Sequence, residues 1–186
     1  MKKAIFGVAL FGMAAASQAT IWGFGVPIID GRQEVPTSGS LAYGSASFTI
    51  NDQNWLVTGS MTTTGLPYRT VTGAANVTGA HIHAAAPPGA NAGVVYNLIT
   101  NAYAGYPVDL PGNVTLYAWS GVLGGNQQVV LNNLIAGLGY INVHSVAFPA
   151  GEIRGQIDCY GAVPEPASMI ALSMGAVALL RRRRKA

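Results

Sequence analysis

Hydrophobic and polar positions alternate through the middle of the chain. Over residues 41–50, Ala42, Gly44, Ala46, Phe48 and Ile50 fall on one face, and Tyr43, Ser45, Ser47 and Thr49 on the other. A period of two marks a half-buried strand. Asn51-Asp52-Gln53-Asn54 is a turn cluster, and residues 55–63 follow as a second strand, so the two segments read as a hairpin. Further strands are expected over 77–84, 93–99, 114–122, 139–146 and 151–158. Residues 129–136 form the single expected short helix, ended by Gly137. About seven short strands separated by Gly, Pro and Asn turns predict an all-β fold. The expected architecture is a single antiparallel β-sandwich. The Gly/Ala/Tyr-rich stretch 100–112 receives no element.

The two ends break the alternation. Lys2 and Lys3 precede an apolar run over 4–16, and Ser17-Gln18-Ala19 is a small-x-small site, so residues 1–19 read as a secretory signal helix cleaved after Ala19. At the far end Val163-Pro164-Glu165-Pro166 precedes 14 largely apolar residues, 167–180, and then Arg181, Arg182, Arg183, Arg184 and Lys185. The prolines oppose helix just before the run. A 14-residue helix is about 21 Å long, short of the ~30 Å hydrocarbon core. It crosses only with local thinning or with arginines reaching to the interface. The basic cluster holds that end in the cytoplasm. The expected organisation is a signal peptide at 1–19, a β-domain at 20–162 and a hydrophobic tail helix with its flanks at 163–186.

Composition narrows the function classes. Half the residues are hydrophobic and 9% are charged, against about 25% in an average soluble domain. The net charge of +3 is carried by the ends. Between 20 and 163 stand three basic residues (Arg32, Arg69, Arg154) and six acids (Asp30, Glu34, Asp52, Asp109, Glu152, Asp158), a balance of −3. No basic stripe remains to bind nucleic acid. Cys159 is the single cysteine, so it pairs only with another chain or stays free. No phosphate loop, Ser/His/Asp arrangement or paired-cysteine metal motif appears.

The chemistry that remains lies in three histidines. His81 and His83 are two apart on one expected strand and leave the same face, while His144 lies on another with Tyr140 and Asn142. If those strands are neighbours, three neutral imidazoles suit Cu or Zn, with water or a carboxylate completing the shell. Glu152 is the nearest acid in sequence to His144 and is the candidate fourth ligand or outer partner. The alternative is structural: strand histidines also hydrogen-bond across a sheet or to loop carbonyls. Glu152 and Arg154 share a face and can form an ion pair, or Arg154 can reach Glu34 or Asp30. Tyr103, Tyr106 and Trp119 are candidates for stacking on sugar rings, or for ordinary packing.

Two resemblances follow from these residues. Pro164-Glu165-Pro166, the apolar run and the arginine cluster, in that order, resemble the PEP-CTERM sorting signal. The resemblance implies signal peptidase and an exosortase as processing partners, with exosortase cleavage near Pro164-Glu165-Pro166. It further implies a membrane-anchored precursor, and a final place at the surface or in the exopolysaccharide matrix of a Gram-negative bacterium. Within the β-domain, Gly31-Arg32-Gln33-Glu34-Val35-Pro36, Ala80-His81-Ile82-His83, Tyr140-Ile141-Asn142-Val143-His144-Ser145 and Phe148-Pro149-Ala150-Gly151-Glu152-Ile153-Arg154-Gly155-Gln156 resemble the CHRD domain over about 28–157. That family implies an extracellular module without an agreed catalytic activity. The histidine pattern is also similar to the copper half of a Cu/Zn superoxide dismutase, at the level of fold, so the expected β-sandwich resembles either the immunoglobulin-like or the Cu/Zn superoxide dismutase-like kind. The expected function is a non-catalytic exported module associated with exopolysaccharide. The alternatives are a Cu/Zn-binding module and a dismutase-like metalloenzyme.

Overall fold

The computed structural model describes residues 19–163. The export signal before Ala19, the Pro164-Glu165-Pro166 motif, the apolar run and Arg181 to Arg184 lie outside the described residues. Among the described residues no helix is long and apolar enough to cross a membrane.

Ten strands and one α-helix make up the domain. The strands are β1 (Ile21–Asp30), β2 (Tyr43–Asn51), β3 (Leu56–Thr64), β4 (Val77–Ala84), β5 (Val94–Asn97), β6 (Val108–Leu110), β7 (Val114–Val122), β8 (Gly139–Ser145), β9 (Ile153–Gln156) and β10 (Asp158–Val163). Helix α1 spans Gln127–Ile135. The strands form one antiparallel sheet in the order β5-β4-β8-β9-β1-β2-β3-β7-β6, with β10 as a further partner of β1. The sheet curls so that one cluster of buried side chains draws on both halves: Ile82, Ile141 and Ile153 from one, Phe48, Met61 and Trp119 from the other. The segment after β5 crosses to β7 through the Ala102–Trp119 bridge. The result is the all-β, sandwich-like fold that the alternation predicts.

The expected hairpin is β2–β3, with Phe48 opposite Gly59 and Ile50 opposite Val57. Phe48 and Ile50 are buried, as the period requires. Asn126 caps α1 by accepting from Val129 N (3.3 Å), and Val130, Leu131 and Leu134 turn inward. Gly137 ends the helix at φ +72° with its N–H on the Leu134 carbonyl. That backbone region favours glycine.

Four features differ from the sequence expectation, the first being β6, which lies in the stretch 100–112 that received no element. β1 was not foreseen, because Gly23, Gly25 and Pro27 interrupt it. Its ladder to β2 shifts register between Val26 and Ile29, which places Pro27, with no N–H to donate, inside the break. The expected strand over 151–158 divides into β9 and β10, and Cys159 is a half-buried strand residue opposite Phe24. Trp119 is wholly buried and so is no sugar platform, whereas Tyr103 and Tyr106 are exposed.

Candidate metal centre

The site begins with β4 and its neighbour β8. Their register sets Gly79 opposite His144, His81 opposite Asn142 and His83 opposite Tyr140. Alternation sends Ala80 and Ile82 into the core and both β4 histidines to the other face. On β8, Ile141 and Val143 are core residues, while Tyr140, Asn142 and His144 join the histidine face. Tyr140 and Asn142 are nonetheless buried, because loops close over this side. Glu34, from the loop after β1, accepts at Oε1 from Asn142 Nδ2 (2.7 Å). Asn91, from the loop after β4, accepts from Arg154 Nη1 (3.0 Å).

The three imidazoles meet. Ring centroids stand 5.2 Å apart for His81 and His144, 5.7 Å for His81 and His83, and 6.4 Å for His83 and His144. One nitrogen from each lies within 4.8 Å of the others. Nδ1 of His83 bonds the Ala92 carbonyl at 2.9 Å, and Nδ1 of His144 bonds the Pro149 carbonyl at 3.0 Å. A carbonyl only accepts, so each Nδ1 carries the proton and each Nε2 keeps its lone pair. Those two Nε2 atoms, and Nδ1 of His81, are buried with no hydrogen-bond partner. The structural and ligand readings of the histidines thus divide by atom: one side of His83 and of His144 fastens a loop, and the other side is left free.

Neighbouring groups fix the rings. Gly79 is what lets His81 and His144 approach, since a Cβ there would stand 2.7 Å from His81 Cε1 and 3.5 Å from His144 Cδ2. His83 stacks on Tyr140 with centroids 4.7 Å apart and planes 2° apart, and the Arg154 guanidinium lies 3.5 Å from the centroid of the same ring. Tyr140 Oη accepts from Ala92 N (3.1 Å). Burial holds His81 down to about 4, helped by repulsion from the charged forms of His144 and His83. His83 is lowered too, again mainly by burial. Both rings are therefore neutral near pH 7, the form a metal needs.

Glu152 lies outside this cluster. Its Oε1 accepts from Ser40 Oγ (2.8 Å), and the carbonyls of Ala92 and Pro149 take the role of outer partner expected of it. Arg154 turns to Asn91 and Tyr140 rather than to Glu152, while Asp30 caps the turn at Gly31–Gln33. Glu34 acts on Arg154 only through its charge. The positioning roles of Gly79, Asn91 and Ala92 were missed. For Gly79 a signal was present: it lies two residues before His81, on the same face.

Fold and site together define a small curled β-module with a face of unpaired imidazole nitrogens. A family model of the CHRD domain matches residues 27–157, and a model of the PEP-CTERM protein-sorting motif matches 162–185. The chain belongs to the CHRD-domain family and carries a PEP-CTERM tail, which makes it an exported protein sorted by an exosortase from a membrane-anchored precursor. No curated protein and no solved structure matches it significantly.

Proposed function

We propose that the protein is an exported, non-catalytic module that binds one Cu or Zn ion through Nδ1 of His81 and Nε2 of His83 and His144. Its place is the surface or exopolysaccharide matrix of a Gram-negative bacterium. Two observations carry the metal reading: each of the three rings keeps one buried nitrogen without a hydrogen-bond partner, and each ring offers a nitrogen within 4.8 Å of the others. A buried polar atom without a partner is costly, and three converging lone pairs are satisfied together by one cation. Nitrogens 2.0–2.1 Å from such an ion stand roughly 3.4 Å apart in a tetrahedron. No pair then has to close by more than about 1.4 Å from the separations here. The carbonyl bonds to the two Nδ1 atoms supply the outer support that metal-bound histidines use. The sorting tail supports the matrix placement.

Metal analysis of the mature protein, dialysed against Cu²⁺ or Zn²⁺, tests the metal reading. About one equivalent is expected, falling to background in His81→Ala and in His144→Ala. Uptake unchanged in both variants would overturn it. A dismutase assay of the loaded protein tests the non-catalytic assignment, with no activity above the free ion expected. Intact mass of the protein from its native host tests sorting: residues 167–186 are expected to be absent.

A further inference from the structure

The last strand described returns to the first. Ile21 faces Val163, Trp22 faces Ala162, and the ladder continues to Gly25 and Asp158. The export junction at Ala19 thus lies two residues before one strand of this seam. The Pro164-Glu165-Pro166 motif follows the other strand directly in sequence. Pro164 has no N–H to donate. The apolar run starts at Ala167, so three residues separate it from Val163, a reach of about 10 Å even when fully extended. The inference rests on the tail reading: where the apolar run anchors the precursor, a connection that short holds this end of the sheet close to the bilayer.

The histidines belong to the opposite end. His81, Asn142, Arg154 and Asp30 are successive cross-strand partners over β4, β8, β9 and β1, and His144 lies beyond that row, opposite Gly79. Asp30 is nine positions along β1 from Ile21, about 30 Å of strand. Two of the loops that close over the histidine face, 31–40 and 146–151, leave from this far end: Ser38 Oγ donates to the Glu152 carbonyl (2.6 Å), and His144 reaches Pro149.

We propose that the tail-anchored precursor stands with its β1–β10 seam at the membrane and presents the histidine face at the distal end, about 30 Å of strand away. Both processing junctions then lie at one end, and the surface offered to ions and partners lies at the other. The arrangement does not depend on a metal being bound. It also survives exosortase cleavage wherever the new C-terminus, near Val163, becomes the point of attachment.

The full precursor, reconstituted through its tail into phosphatidylcholine/phosphatidylglycerol vesicles, tests this. In a Cys159→Ser background, Val122→Cys and Val146→Cys each carry a fluorophore. Both positions are exposed, at 60% and 66%, so neither label disturbs packing. Val122 lies at the level of the seam, opposite Leu56 at the start of β3, and Val146 directly follows β8. A headgroup-nitroxide lipid is expected to quench the label at 122 several-fold more than the label at 146. Equal quenching at both, none at either, or stronger quenching at 146 overturns the proposal.

Discussion

Gly79 stands across the ladder from His144 and two residues before His81, so it decides how closely two imidazoles approach. Gly79→Ala is expected to push the His81 ring aside while leaving the β4–β8 ladder intact. Metal affinity should fall about 10- to 100-fold, the usual effect of disturbing a ligand's support, read by competition with a chromophoric chelator. Glu34 acts on stability instead. Burial pushes its carboxyl from 4.5 up to about 7, against the pull of Arg154. Its folded-state value is the higher one, so its contribution is fully present below pH 4.5 and is lost as pH rises through about 7. Glu34→Gln keeps the acceptor for Asn142 and removes the titration. Relative to wild type, the variant should gain on the order of 1–2 kcal/mol in moving from pH 5 to pH 8. Urea unfolding at the two pH values checks it, and an unchanged difference would show that Glu34 does not titrate there. At this scale the three histidines were legible, because a two-residue spacing fixes a shared face. Their carbonyl partners were not: Ala92 and Pro149 act through the backbone, which side-chain identity does not reveal.

Strands with a clean period were legible almost to the residue. β4 and β7 carry the expected bounds, and β2 and β3 are displaced by one or two positions. β1 was hidden because its period is broken by glycines and Pro27, and because two of its three partners, β9 and β10, come from the far end of the chain. β8 shows a different limit: six of its seven residues are buried, since loops cover the polar face that alternation alone would leave to solvent. The junction of β1 with β9 is the tightest test of this packing. A Cβ on Gly155 would collide with the Ile28 carbonyl and with Val26 Cγ1, at the point where β1 shifts register. A backbone atom cannot swing away as a side-chain tip can, so Gly155→Ala should cost about 1–3 kcal/mol. Gly93, whose added Cβ meets nothing within 4 Å, is the control: Gly93→Ala is expected to be close to neutral. Thermal unfolding of the pair checks both, and equal melting temperatures would contradict the register derived for β1.

For the whole molecule, the pairing of first strand with last governs when folding can finish. β1 holds β2 on one side and both β9 and β10 on the other. As the chain leaves the translocon, β1 and β2 emerge early, but one edge of β1 stays open until residue 163 has followed. Such non-local pairing is slow to form, and an open edge invites association with other chains. The β1–β10 ladder comprises five cross-strand pairs. At a net contribution of about 1 kcal/mol per backbone bond, its loss removes roughly 3–5 kcal/mol, a large share of the 5–15 kcal/mol that holds a typical domain. A 20–163 fragment is therefore expected to unfold cooperatively and to resist protease, whereas a 20–157 fragment should lose most of its cooperative transition and self-associate. Limited proteolysis and sedimentation of the two fragments decide the matter. Equal resistance would mean that the half of the sheet bearing the histidines folds without the seam. In that case the metal centre could form before the sorting tail leaves the translocon, rather than only after it.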